Sequence, residues 1–519
     1  MFYSIKSILN KILIFIKYRK SINLFSDANK KNFSKLSENN GKILVEYTPS
    51  WKSQIALSYI SNILAKKFNS NLVLYIPNDK NFYLKILHKI SFLLKLSVYQ
   101  VIRSYNVNQL IFVENKNFPR RKFFYPSSKK KLLKLKLKNV LIGDLLYDSY
   151  LRRRRKYTID IKSKEFKIFC KSFYKKFYFW NNYIKKNKVE ALVCNHHVYE
   201  NGLPARILTY RKKKVYSAGI NHLYLHKYKN FHYDYSAKKR FDKLKKNEKF
   251  IAIKKSKKIL EKKFKGEKTF DSLLGNRKII STFKFNHKIK LKKKHKNKIN
   301  VLVGIHSFND APHAFGEFIF PDQYEWLNFL KLKASQLKNY NWFLKIHPIF
   351  YNDEINITKK IIGKGSNIKI LSKNIDNNYL IKKLGIDFVL SKYGSLVYEY
   401  ANFGIPSIVI AKNHPYKGFN FVREAKSLKN YIYLLENLKK LKFKFTSTEV
   451  CEYYYSRFLK LSNFFNDYPS VIKNLNGNTD SPLIFNYWLK ELTYKKNKKL
   501  NYQMLEFINS GKQLFEFKN

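Results

Sequence analysis

The chain has 519 residues, with 104 Lys or Arg against 35 Asp or Glu, a formal net charge of +69, and 45% hydrophobic residues. That length exceeds one ordinary core and predicts at least two large domains, while the hydrophobic content excludes general disorder. Three cysteines far apart (Cys170, Cys194, Cys451) exclude a disulfide framework and fit a reducing compartment.

Lys, Asn, Ile, Tyr and Phe are abundant and Gly and Pro are scarce. An AT-rich genome produces the same bias, so part of the positive charge carries no functional message. No zinc-finger, RNA-recognition or helix-turn-helix pattern accompanies the charge, so nucleic acid is not an expected partner. An anionic membrane surface is, since each basic group close to lipid is worth on the order of 1 kcal/mol.

No apolar run reaches the roughly 18 residues of a spanning helix. The N-terminus is amphipathic instead. At about 100° per residue, Ile5, Ile8, Leu9, Ile12, Leu13, Phe15 and Ile16 share one arc, and Lys6, Ser7, Asn10, Lys11 and Lys17 take the other. This pattern predicts a helix lying in the membrane interface, with packing on the protein's own core as the competing reading. Residues 20–40 read as a polar linker, so 1–40 forms the anchor and linker segment.

Residues 41–47 (GKILVEY) are the first strand, and residues 48–50 open a helix with Ile55, Tyr59 and Ile63 at helical spacing. Strands follow at 72–76, 110–113, 140–142, 190–194 and 214–217, with helical segments between them. That alternation predicts a parallel, doubly wound sheet over 41–283. The basic stretch 120–138 reads as a solvated loop and short helix. Arg152 to Arg155 form a basic turn that could meet an anionic acceptor. Beyond the strand 190–194 lie His196, His197 and Glu200, where α/β proteins hold ligands; Cys194 with the two histidines matches no standard zinc spacing.

Residues 233–299 are highly charged, and 284–299 read as a basic, extended linker. A second α/β domain spans 300–448, followed by a helical tail over 449–519. Its strand 301–305 leads to His306, Asp310 and His313. The strand 341–346 ends at Lys345, His347 and Pro348. Then comes GIDFVLSKYGSLVYEYANFGIPSIVI, a strand, loop, helix and strand in which Gly404 and Pro406 stop the helix. Free N–H groups at a helix start attract phosphate, Gly394 admits close approach, and Ser391 and Ser395 add hydroxyl donors. Glu399 lies one turn further in. These polar sets hang from carboxyl ends of neighbouring strands and suit a nucleotide with phosphate and ribose. Neither a P-loop nor GxGxxG occurs.

Lys345-x-His347-Pro348, then Ser391-x-x-Gly394-Ser395-x-x-x-Glu399 and Gly404-x-Pro406, resembles bacterial GT-B glycosyltransferases of capsule and surface polysaccharide synthesis. The resemblance is to the capsular polysaccharide biosynthesis and Kdo-transferase-like proteins. It extends over HSFNDAPHAFG, NWFLKIHP and NHPYKGFNFVRE, and to GDLLYDSYLR in the first half. It implies two Rossmann-like domains facing a cleft, a nucleotide-sugar donor on the second, and a glycan or glycolipid acceptor on the first. It also implies no cofactor and no essential metal, and a peripheral place at the inner face of the cytoplasmic membrane. In that frame His306, Lys345, His347, Ser391, Gly394, Ser395 and Glu399 hold the donor: Lys345 and His347 at phosphate, Glu399 at ribose. The base for the acceptor hydroxyl stays open among Asp148, His197, Glu200, Asp310 and His313, with Asp310 and His313 first and Glu200 next. A teichoic-acid-type polyol-phosphate transferase, a nucleotide-sugar epimerase, or a basic RNA- or lipid-binding protein are the competing readings.

Overall fold

The computed structural model describes residues 16–33, 40–48, 51–77, 82–96, 98–113, 124–195, 197–219, 222–227, 237–267, 298–347, 351–460 and 494–516, with residues 13, 283 and 489. Its strands are β1 (Gly41–Glu46), β2 (Ser70–Ile76), β3 (Val107–Phe112), β4 (Lys136–Leu137), β5 (Val140–Leu141), β6 (Val189–Cys194), β7 (Lys214–Gly219) and β8 (His222–His226) in the first half. The second half holds β9 (Ile299–Gly304), β10 (Tyr340–Lys345), β11 (Ile368–Leu371), β12 (Phe388–Ser391), β13 (Ser407–Val409) and β14 (Val422–Glu424).

These strands build two six-stranded sheets, ordered β3-β2-β1-β6-β7-β8 and β11-β10-β9-β12-β13-β14. Every neighbouring pair is parallel except β7 with β8. With the β4–β5 hairpin set aside, each sheet has the doubly wound 3-2-1-4-5-6 order, whose switch point is a crevice at the carboxyl ends of its two central strands. The apolar runs in the sequence explain the sheets, because a parallel strand is buried on both faces. Along β10, Trp342 and Leu344 enter one core and Phe343 the other.

Four segments differ from the sequence reading. Residues 140–142 do not join the parallel sheet; β5 pairs antiparallel with β4, closed by Lys138 and Asn139 at positive φ. Where a polar linker is expected, a helix covers Arg19–Asn32 and buries Ile22 and Phe25. The helices Ala237–Asp242 and Lys246–Phe264 belong with the second half, since Ala237 and Leu260 share a core with Val397 and Tyr398. The helix Tyr494–Ser510 returns to the first half, where Met504, Phe507 and Ile508 pack with Tyr59 and Ile60. Of the predicted interface helix, residues 1–12, 14 and 15 lie outside the described residues, as do residues 284–297 of the basic linker. Among the described residues no helix is long and apolar enough to cross a membrane.

Candidate functional site

The second sheet's switch point lies between β9 and β12, where Gly304 pairs with Ser391. A Cβ on Gly304 would sit 2.5 Å from Leu396 Cδ1, so a side chain there would displace the Leu396 side chain, the first residue of the helix Leu396–Ala401. The loop after β12 folds onto itself: the Gly394 N–H donates to Ser391 Oγ at 3.1 Å, and that hydroxyl donates to Gly304 O at 3.4 Å. His306 covers this loop, with Nε2 2.9 Å from where a Gly394 Cβ would be. Its ring lies 4.9 Å from Tyr393 and 6.3 Å from His347. Loss of solvent, then the charges of His347 and Lys392, holds His306 down to about 3, so it is a neutral imidazole at ordinary pH. Ser395 is exposed and His347 half-buried at the same strand ends.

Two expected donor residues are committed beneath this crevice. Lys345 is buried, and its ammonium donates to Ile375 O at 3.1 Å and to the Asn377 side chain. Burial lowers it to about 8, against the upward pull of Glu399 and Asp376. Glu399 is buried in an ion pair with Lys263 Nζ at 3.1 Å. Pro348 lies outside the described residues.

The first half meets the second above the carboxyl ends of β6 and β9. Tyr199, just beyond β6, donates from its hydroxyl to Asp310 Oδ1 at 3.2 Å, and Asp310 is exposed. Deeper in, Asp148 on the helix Gly143–Arg154 takes two hydrogen bonds from His313, from the backbone N–H at 3.0 Å and from ring Nδ1 at 2.6 Å. Both residues are buried. Burial raises the Asp148 carboxyl, and the attraction of His313 pulls it back. With Nδ1 bound to the carboxylate, the remaining ring nitrogen, Nε2, is buried and has no hydrogen-bond partner among the described residues. The Tyr147 ring packs against the imidazole at 5.1 Å, and Tyr147 OH donates to Asp322 Oδ2 at 2.5 Å. Asp322 caps the helix Gln323–Gln336, so a second bond ties the halves beside the first.

Of the proton-transfer candidates, the structure brings Asp148 and His313 into one pair with Asp310 nearby. Glu200 is elsewhere in chemistry: Arg153 Nη2 at 2.5 Å and the buried Lys176 ammonium both hold its carboxylate. His197 is buried, its ring 4.5 Å from His226. His196 lies outside the described residues, and the Cys194 thiol is buried, donating to Tyr216 O at 3.6 Å. Among the described residues no group of three or more His, Cys, Asp or Glu is placed to hold a metal ion.

Lys392 is the residue the sequence hid. It is buried, donates to Pro312 O next to His313, and lies 4.4 Å above the Phe318 ring and 4.7 Å above Tyr393. Burial lowers it to about 7, with Asp148 and Asp310 opposing. A lysine in a chain this rich in lysine reads as surface, and only its place directly after an apolar strand hinted otherwise.

No family model and no curated protein matches the sequence. Among solved structures, the fold is similar to KpsC, a beta Kdo 2,4 transferase of Thermosulfurimonas dismutans, at 11% identity and a TM-score of 0.31, over 51% of this chain and 79% of that one. It is similar to S. aureus MnaA with UDP at 10% identity and 0.28, over 84% and 97%. It is also similar to Acinetobacter baumannii MurG at 8% identity and 0.24, over 80% and 94%. All these TM-scores lie below 0.5, and the α/β assignment rests on the strand order of the two sheets.

Proposed function

We propose that this chain is a GT-B glycosyltransferase that moves a sugar from a nucleotide-activated donor to a growing capsule or surface polysaccharide, free or lipid-linked, at the inner face of the cytoplasmic membrane. The observation that carries this reading is the buried Asp148–His313 pair, made by one residue from each half beside the switch-point crevice. The donor nucleotide takes the β9/β12 crevice, where His306, His347 and Ser395 offer hydrogen bonds to phosphate. His347 keeps the phosphate role that the sequence resemblance gives it, while Lys345 and Glu399 are positioning residues that brace the loop segment 375–377 and Lys263 beneath the crevice.

His313 is the base. Asp148 accepts the Nδ1 proton, which fixes the tautomer that leaves a lone pair on Nε2. Nε2 is buried in this arrangement, so the two halves part to admit the acceptor; Nε2 then takes the proton of the acceptor hydroxyl, whose oxygen forms the new bond to the anomeric carbon. The bond from that carbon to the nucleotide phosphate oxygen breaks, and its electron pair leaves with the phosphate. The Asp148 carboxylate then steadies the imidazolium. No resident metal or cofactor enters this scheme.

A panel of nucleotide sugars with release of free nucleotide as readout tests it. His313→Ala is expected to lower kcat by about 10²–10⁴ while leaving nucleotide affinity unchanged. Unchanged turnover in that variant, or failure of UDP, CMP and CDP to bind wild type, would sink the reading.

A further inference from the structure

The helix Phe82–Leu93 leaves β2 at the carboxyl end of the first sheet and shows an apolar face to solvent. Phe82 and Tyr83 are 70% and 68% exposed, Ile86, Leu87 and Ile90 40–44%, and Leu93 59%. At 3.6 residues per turn these six side chains fall in a single arc of about 140°. Phe92 is buried on the opposite side, so the helix is seated on the protein and its apolar arc is surplus to that seating. Contiguous exposed apolar surface of this kind marks an interaction site.

Charge decides what occupies it. Residues 82–96 contain Lys85, Lys89 and Lys95 and no acidic residue. A lysine-flanked apolar arc on a chain of net charge +69 suits an anionic bilayer, with apolar side chains in the acyl boundary and ammonium groups at the headgroups. Twelve residues of helix span about 18 Å, short of the roughly 30 Å hydrocarbon core, so the helix lies in the interface plane.

A second exposed apolar segment is connected to this helix through one intervening helix. The helix Arg19–Asn32 is bound to the helix Val98–Ser104 through Gln100 Nε2 to Asn23 Oδ1 at 2.7 Å and Asn29 Nδ2 to Ser104 Oγ at 3.1 Å. Val98–Ser104 in turn holds the apolar helix through Tyr99, which meets Phe92 at 5.9 Å and His88 at 6.0 Å. Leu13 and Ile16, leading into Arg19–Asn32, are both 63% exposed. The face is also joined to the first sheet's switch point: Tyr47, one residue past β1, stacks on Tyr99 at 5.4 Å and meets His88 edge-on at 5.2 Å.

We propose that the Phe82–Leu93 helix is a membrane-docking face for anionic phospholipid, which brings the carboxyl end of the first sheet to the lipid surface. Its link to a lipid-borne acceptor rests on the transferase reading; the docking itself does not.

The test uses the full chain with vesicles of phosphatidylglycerol and phosphatidylcholine, against phosphatidylcholine alone, by sedimentation. Wild type is expected to prefer the anionic vesicles. Phe82→Ser with Ile86→Ser and Ile90→Ser is expected to weaken binding at least about tenfold, the loss of three buried apolar groups. Lys85→Glu with Lys89→Glu is expected to weaken it and flatten its salt dependence. These positions are partly or largely exposed, and far-ultraviolet circular dichroism verifies that the variants fold. Three results overturn the proposal: no preference for anionic vesicles, a triple variant that sediments as wild type does, or a wild-type dimer that the triple variant converts to monomer with vesicle binding untouched. Nucleotide affinity read on the same variants keeps the two readings apart, because its absence in wild type would remove the transferase reading and leave the lipid result standing.

Discussion

The two halves share one strand order and treat its crevice in opposite ways. In the first half the switch point is filled from within. Glu46, the last residue of β1, is buried and takes hydrogen bonds from the Asn195 N–H at 2.6 Å and from Asn201 Nδ2 at 3.3 Å, both beyond β6. In the second half the equivalent ground has glycine at Gly304 and Gly394, a serine turned back on its own loop, and a neutral imidazole as cover. Topology supplies a crevice twice, and side-chain volume at the strand ends differs between the two.

That contrast can be broken by experiment. Gly394→Val should have the largest effect, because its Cβ would meet His306 Nε2 at 2.9 Å and Ser391 Oγ at 3.1 Å. Nucleotide Kd is expected to rise at least about tenfold, equal to about 1.4 kcal/mol, in calorimetric titration. Glu46→Gln should do the reverse. Nucleotide affinity is expected to stay, while the unfolding free energy in urea falls by about 1–3 kcal/mol, because a buried acceptor of two bonds loses its charge. Nucleotide binding lost in Glu46→Gln and kept in Gly394→Val would exchange the roles of the halves.

Stability against pH tests the same contrast from the second half. Lys392 sits at about 7 in the folded chain against 10.5 when unfolded. Between those values the unfolded chain holds the extra proton, so wild-type stability rises as pH increases from about 7 towards 10 and is lost as pH falls back. Lys392→Met is expected to flatten that rise in urea melts, leaving the part due to Lys345, which is lowered to about 8. An unaltered slope would mean that Lys392 is solvated.

The central strands were legible because strands covered on both faces read as unbroken apolar runs, as in residues 41–47 and 341–346. The edge strands β8, β11 and β14 were not. β11 is four residues long with only its two ends buried, too little to stand out in a lysine-rich background. The hairpin β4–β5 was misread because a two-residue strand beside an apolar Ile142 resembles the end of a core strand. At the site, His306, Ser391 and Gly394 were legible from their place after strands. His313 stood among the candidate bases, but its partner Asp148 lies 165 residues earlier, and only folding selects it over Glu200. Glu200 itself looked available because Arg153 and Lys176, which neutralise it, are 47 and 24 residues away.

The returning helix Tyr494–Ser510 has a consequence for synthesis. Tyr59 donates to Asn501 across 442 residues, and Phe515 N–H bonds to Leu223 O at 3.0 Å. The first half therefore cannot close its core when residues 41–226 leave the ribosome; it must wait for residues 494–516, with part of an apolar surface open meanwhile. A ribosome that stops early releases a chain whose second sheet has every strand it needs and whose first sheet, though translated in full, still lacks a piece of its interior.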